Sequence, residues 1–230
     1  MSATNRGGQR KAYDFYATPA DTVHAFLNSF EGISTSDRIL EPSAGNGAII
    51  QALRNHGYTN RIDAVEIRPE ERAQLEALAD NVTIGSFFDY DPGLGYDVII
   101  GNPPFNLKFD YKLSQEYYMN KAYDVLNPAG ILMVIVPLSF MQSEFWEKSR
   151  VANINSDFSF VGQVQLDPNA FASTGVHNFR TKVMVFLRES RHIEMQPYNA
   201  EEFISMDELK GRIMEARAMK HKLRLDLMRE

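Results

Sequence analysis

The chain contains no cysteine among its 230 residues. Disulfide bonds, thiolate zinc sites and a cysteine nucleophile are therefore excluded. No apolar run approaches the roughly 20 residues that cross a bilayer, and the first eleven residues lack the apolar stretch of a signal peptide. The five histidines are scattered without metal-ligand spacing, so no metal site is expected. These absences predict a cytoplasmic protein that does not span a membrane.

Charge is unevenly distributed along the chain, whose net charge is −6. Both ends are basic, so the part between them is strongly acidic, and any contact with nucleic acid has to be local. We predict a flexible basic arm over residues 1–12, one main domain over residues 13–190, and a C-terminal extension over residues 191–230 that carries a basic helix.

Short runs rich in Ile, Val and Leu alternate with helical patterns along most of the chain. Such runs are typical of a mainly parallel sheet that is covered on both faces. The sequence therefore predicts a doubly wound α/β fold, with the last two runs forming an antiparallel edge hairpin. The predicted strands are 38–41, 62–67, 82–84, 97–100, 131–136, 160–166 and 182–187, and the predicted helices include 69–79, 113–126, 139–148 and 205–229.

A glycine turn follows the first predicted strand, where open α/β sheets bind their ligands. Its residues that we predict to contact a ligand are Glu41, Pro42, Ser43, Ala44, Gly45 and Gly47. The third glycine of a dinucleotide fold is missing because position 50 is Ile50, and no Gly-Lys-Ser/Thr is present, so a P-loop is excluded. An acid at the strand end repels phosphate and suits a ligand with a cationic end.

A second acid, Glu66, lies at the end of the next predicted strand, together with Ile67. A carboxylate there can accept hydrogen bonds from both hydroxyls of a ribose. A ligand that combines a ribose, an adenine and an ammonium group without phosphate is S-adenosylmethionine, which we predict as the cofactor.

The tetrapeptide Asn102, Pro103, Pro104 and Phe105 follows the strand 97–100. The prolines stop the strand and hold the chain extended. The Asn102 side-chain oxygen and the Pro103 carbonyl can accept the two hydrogens of an exocyclic amine, while Phe105 stacks on its ring. Two acceptors favour a pyramidal nitrogen whose lone pair can attack a methyl group, so the corner predicts methyl transfer to a planar NH₂ group.

These motifs, in this order, resemble those of the S-adenosylmethionine-dependent N6-adenine methyltransferases of the γ motif order, over roughly residues 13–188. The resemblance implies a class I, Rossmann-like fold with a seven-stranded sheet. It implies an N-terminal cofactor motif formed by Tyr16, Ala17, Thr18 and Pro19. It also implies a substrate loop near residue 171 whose aromatic packs against a flipped adenine, and a bacterial or phage origin.

One position departs from the family pattern. The family has an acid before Phe after the third strand, whereas Ser86 precedes Phe87 here. The resemblance implies that Phe87 covers the cofactor adenine, and either Ser86 or Asp89 supplies the acceptor for its amino group. For the distal aromatic at the target base we prefer Phe171 over Phe179.

The predicted substrate is adenine in DNA, flipped out of the duplex. Little sequence is left for a recognition domain, so we expect limited specificity or recognition by short elements, among them the loop that contains Lys108. The tetrapeptide also fits ribosomal or other RNA adenine and a protein glutamine amide, since each presents a planar NH₂ group. A non-catalytic subunit that binds a partner through the terminal helix is a further alternative.

Overall fold

The computed structural model describes residues 18–19, 22–23, 27, 33–104, 108–109, 112–141, 158–188 and 202–227. For residues 108–109, 112–116 and 220–227 it describes the backbone alone. The predicted basic arm and the predicted helix 139–148 lie outside the described residues, apart from residues 139–141, which form a turn.

A seven-stranded sheet forms the centre of the molecule, in the order β3-β2-β1-β4-β7-β9-β8. Its strands are β1 (Ile39–Glu41), β2 (Ile62–Glu66), β3 (Asn81–Ile84), β4 (Tyr96–Gly101), β7 (Leu126–Pro137), β8 (Phe158–Gln165) and β9 (Thr181–Arg188). The first five strands of this set run parallel to one another, whereas β9 runs antiparallel to both β7 and β8. The predicted α/β fold, with its antiparallel edge, is therefore confirmed.

A separate two-stranded antiparallel ribbon joins β5 (Lys108–Phe109) to β6 (Lys112–Leu113). The α-helices are α1 (Ala48–Asn55), α2 (Arg72–Glu76), α3 (Ser114–Val125) and α4 (Met206–Leu227). Short 3-10 turns cover Pro69–Glu71, Phe87–Asp89 and Ala172–Thr174. None of the described helices is long and apolar enough to cross a membrane.

Alternating side chains of the strands pack into two apolar layers, one on each face of the sheet. Ile39 and Val98 lie in one layer, while Leu40 and Ile99 lie in the other, as the period of two in a strand requires. Helix α4 completes the first layer with Leu209, which is fully buried. The terminal helix therefore belongs to the same core as the sheet.

Strand β7 begins earlier than its sequence predicts. The predicted strand begins at residue 131, after the turn-forming residues 127–130, yet the strand starts at Leu126 and pairs with Tyr96 before a shift in register brings Ile131 opposite Val98. Ala129 has a positive φ of 58° within this irregular segment. The turn residues are thus accommodated as an irregularity inside the strand.

Candidate cofactor-binding and active site

Two loops at the carboxyl edge of the sheet bring the predicted motifs together. Strands β1 and β4 are hydrogen-bonded neighbours, so the glycine turn after Glu41 and the corner after Gly101 leave the sheet side by side. The Ser43 hydroxyl lies 3.5 Å from the carbonyl oxygen of Asn102, to which it donates. The glycine turn and the proline corner are therefore in direct contact.

The glycine turn owes its shape to two residues in the left-handed region. Gly45 has φ 58° and Gly47 has φ 78°, a conformation that L side chains rarely adopt. Helix α1 begins at once after Gly47, which has no side chain to cap the first turn. Its first N–H groups are therefore directed toward this edge of the sheet.

Glu41 ends β1 inside the site, where its side chain is buried. Burial raises the pKa of Glu41 well above its usual value; the Ile50 backbone N–H opposes that effect, and the Glu66 carboxylate adds to it. Among the described residues, its Oε2 atom has no hydrogen-bond partner. A buried carboxylate in this state suits a ligand that brings a positive charge and an N–H donor.

Glu66 ends β2 and is held by three donors. The Gly45 N–H donates to Oε2 at 2.6 Å, while the backbone N–H and Nε of Arg68 donate to Oε1 at 2.9 and 3.0 Å. Because an ionised carboxylate offers about four acceptor positions, this arrangement retains about one for a ribose hydroxyl instead of the expected two. Ile67 beside it is 45 % exposed and offers an apolar surface at the same edge.

The segment after β3 contains Ser86 and Asp89, the two candidates to accept from the amino group of the cofactor adenine. Ser86 lies beside the end of β2, because the adjacent Gly85 N–H donates to the Glu66 carbonyl. The Ser86 hydroxyl accepts a hydrogen bond from the Phe88 N–H. Asp89 is exposed. The Phe87 ring is buried and packs against Tyr118 with centroids 5.2 Å apart, and its contact with the cofactor adenine stays a prediction.

The proline corner places Asn102 next to the N-terminal motif. The Asn102 Nδ2 group donates to the Thr18 hydroxyl oxygen at 3.1 Å, although the two residues are 84 positions apart. Pro103 is buried and Pro104 is half-buried. Three further predicted contacts, Tyr16, Ala17 and Phe105, lie outside the described residues.

Tyr118 of helix α3 is a site residue that sequence reasoning missed. Its side chain is buried, and its hydroxyl lies so close to Gly101 that a Cβ atom there would meet it at 2.3 Å. Burial raises the pKa of Tyr118, the Glu41 carboxylate raises it further, and the Ser43 hydroxyl opposes both effects. The pair Tyr117-Tyr118 on a helix is typical of core packing. Only the fold shows that the Tyr118 hydroxyl lies next to Gly101, where the proline corner begins.

The predicted substrate loop lies between β8 and β9. Because these strands are antiparallel, the loop opens at the carboxyl edge of β7, where Pro137 pairs with Thr181. The ring of Phe171, the preferred aromatic, is 1 % exposed and belongs to the core, so its contact with a target base stays a prediction. Phe179 is half-buried and is the more accessible of the two candidates, whereas the side chain of Lys108 is not among those described.

Comparison with known proteins finds similarity to restriction-modification methyltransferases. The family model described as Eco57I restriction-modification methylase matches residues 48–160, just under half of the chain. The chain is 28% identical to the type II methyltransferase M.CvrRI of Paramecium bursaria Chlorella virus XZ-6E over 186 residues, which are 74% of this chain and 46% of that protein. It is 37% identical to the type II methyltransferase M.TthHB8I of Thermus thermophilus over 91 residues, 39% of this chain and 21% of that protein.

The chain therefore spans less than half the length of these curated relatives. In structure it is similar to a protein of Listeria monocytogenes that is provisionally described as a class I S-adenosylmethionine-dependent methyltransferase. That similarity has a TM-score of 0.68 and 15% identity, and covers 94% of this chain and 72% of the other. The class I methyltransferase fold is thus confirmed.

Sequence and fold comparisons agree with the motifs. The resemblance to S-adenosylmethionine-dependent DNA methyltransferases is confirmed, and the comparisons indicate S-adenosylmethionine as the cofactor. The site fits this molecule: Glu41 suits its ammonium group, Glu66 has an acceptor position for a ribose hydroxyl, and Ile67 offers an apolar surface.

Proposed function

We propose that this relative of the restriction-modification methylases transfers a methyl group from S-adenosylmethionine to the N6 amino group of adenine in DNA. The observation that carries the proposal is the contact between the corner at Asn102 and the glycine turn at Ser43. It joins an amide that can accept from a planar amine to a turn that suits the cofactor. A cytoplasmic location, in a bacterium or a phage-infected cell, is part of the proposal.

Each residue of the corner has a defined role in this reaction. When bound, S-adenosylmethionine supplies an electrophilic methyl group. The Asn102 side-chain oxygen and the Pro103 carbonyl accept hydrogen bonds from the two N–H groups of the target amine. These bonds draw the lone pair of the amine nitrogen out of conjugation with the ring. As the amine nitrogen bonds to the methyl carbon, the bond between that carbon and sulfur breaks and S-adenosylhomocysteine is left. The methylated nitrogen then releases one proton to water and regains a planar form. Positioning and electrostatics carry this step, and no strong base is needed.

Base flipping belongs to the same proposal. The amine of a paired adenine is inaccessible inside a duplex, so the base must leave the stack at a cost of a few kcal/mol. Phe105 is the predicted stacking partner on one side, and Phe179 is the candidate on the other. The relation to restriction-modification methylases favours DNA over the two alternative substrates, RNA adenine and a glutamine amide.

Tritiated methyl transfer tests the proposal directly. Wild-type protein is incubated in parallel with duplex DNA, single-stranded DNA, ribosomal RNA and protein extract, and the modified nucleoside is identified. We expect N6-methyladenine in DNA. Label confined to RNA or to protein would refute the DNA assignment, and absence of label in all four would favour a non-catalytic subunit.

The variant Asn102→Ala separates chemistry from cofactor binding. We expect it to abolish transfer while calorimetry with S-adenosylhomocysteine gives an affinity within about threefold of wild type, a difference below about 1 kcal/mol. Asn55→Ala is the matched control, because Asn55 ends helix α1 on the exposed surface, where its side chain accepts from Gln51. Turnover retained in Asn102→Ala would reject the role of this amide.

A further inference from the structure

Thr18 contacts the amide that the proposed reaction depends on. Its side chain is 6 % exposed, and its hydroxyl oxygen accepts the hydrogen bond from Asn102 Nδ2 at 3.1 Å. Pro19 follows directly, and its carbonyl accepts from the Val23 N–H, so a helical turn begins here. Thr18 is thus held at the start of this turn, with its hydroxyl on the catalytic corner.

The two ends of an amide have opposite hydrogen-bonding character. The NH₂ end only donates and the oxygen only accepts, so a rotation by 180° about the last side-chain bond exchanges donor and acceptor. A target amine requires the acceptor, because a donor facing its N–H bonds would repel them. A partner that binds the NH₂ end therefore fixes the productive orientation of the oxygen.

We propose that Thr18 is a positioning residue, which holds the Asn102 amide with its oxygen available to the substrate amine. This inference rests on the proposed function and deepens it. It assigns the Thr18 hydroxyl to the catalytic amide, whereas the resemblance of the N-terminal motif implies a contact with the cofactor. The hydroxyl acts through Asn102 and does not touch the reacting atoms.

A second threonine on the same segment provides a matched control. Thr22 follows Thr18 by one helical turn and is also buried, but its hydroxyl donates to the Ala170 carbonyl at 3.1 Å. Both threonines therefore tie this segment to a loop of the carboxyl edge, and only Thr18 reaches the catalytic amide. Replacing either by valine removes one buried hydroxyl at nearly constant volume.

Steady-state kinetics with the full chain form the first test. We expect Thr18→Val to lower kcat between about 10-fold and about 100-fold, since small misplacements of catalytic groups cost rates of that order. The dissociation constant for S-adenosylhomocysteine should stay within about threefold. Thr18→Ser retains a hydroxyl and should restore most of kcat, whereas Thr22→Val should retain it. A weaker cofactor affinity with kcat unchanged would overturn the assignment in favour of a direct cofactor contact.

Amide NMR provides a test that does not depend on activity. In protein labelled with ¹⁵N-asparagine, the side-chain NH₂ signal of Asn102 is identified by its loss in Asn102→Asp. We expect this signal to shift in Thr18→Val and to stay in place in Thr18→Ser and Thr22→Val. An unmoved signal in Thr18→Val would overturn the positioning role even if the wild type methylates DNA. A shifted signal in a protein that methylates nothing would instead refute the proposed function alone.

Discussion

The substitution Gly101→Ala should disturb the catalytic corner through a single atom. A Cβ atom at this position would lie 2.3 Å from the Tyr118 hydroxyl oxygen, a distance that real Cβ contacts essentially never show. The next atoms, Pro42 Cδ and Tyr118 Cζ, lie at 3.5 Å, which is ordinary van der Waals contact. Because φ of Gly101 is not among the positive values, the backbone itself accepts alanine.

The magnitude follows from this geometry. Overpacking in a well-packed interior costs about 1–3 kcal/mol, while a glycine replaced by alanine without strain gains about 0.4–1 kcal/mol through the unfolded chain. We therefore expect Gly101→Ala to lower the free energy of unfolding by about 1–2 kcal/mol. Tyr118→Phe removes the colliding oxygen, so the double variant should recover that loss.

A double-mutant cycle measured by urea denaturation tests the reasoning. The free energies of unfolding of the two single variants and the double variant give the coupling between the positions, which should be about 1–3 kcal/mol. Gly85→Ala is the control, because a Cβ atom there meets nothing within 4 Å. Additive effects of the two substitutions would refute the reasoning, since the hydroxyl would then not be what excludes a side chain at position 101.

Three further predictions concern stability. The pKa of Glu41 is raised in the folded state, so the wild type should lose stability as pH rises from the unfolded value near 4.5 through the folded value. The free energy of unfolding of the wild type should therefore fall relative to that of Glu41→Gln over this pH range. A pH-independent difference between the two proteins would contradict this prediction. Gly47→Ala should cost more than Gly57→Ala in thermal denaturation. At both positions the left-handed backbone makes alanine cost about 1–2 kcal/mol, but only at position 47 would a Cβ atom also meet neighbouring side chains. Equal losses of stability in the two variants would show that packing at position 47 is irrelevant. Arg217→Met breaks a buried ion pair and leaves the Asp37 carboxylate without it, so it should lower the free energy of unfolding by about 3 kcal/mol. The double variant Asp37→Asn/Arg217→Met should lose less, because it removes both charges. A larger loss in the double variant, measured by urea titration, would refute this prediction.

The sheet was predictable because most of its strands are short apolar runs in the sequence, a pattern typical of buried strands. Strands β2 and β4 are almost entirely buried, and each is followed by the acid or amide that the motifs predict. Since parallel strands end at one edge, placing Glu41, Glu66 and Asn102 together needed no knowledge of side-chain contacts. The order of the motifs along the chain was therefore enough to predict that these three residues lie close together.

What the sequence does not reveal are contacts between distant residues. The bond between Asn102 and Thr18 and the approach of Tyr118 to Gly101 depend on how loops and helices pack over the sheet edge. The burial of Phe171 could not be predicted for a related reason. An aromatic in a loop can turn toward the core or toward a ligand, and local sequence does not distinguish these two outcomes.

The antiparallel pairing of β8 and β9 has a consequence for how recognition can change. The segment 166–180 is anchored at both ends by neighbouring strands, with the Leu166 N–H bonded to the Thr181 carbonyl. Residues inserted or exchanged at the exposed positions between these anchors would leave the pairing of the sheet in place, whereas Phe171 must keep its place in the core. Under the proposed function, exchanging the exposed part of this one loop would change the target, while the residues around Asn102 would stay the same.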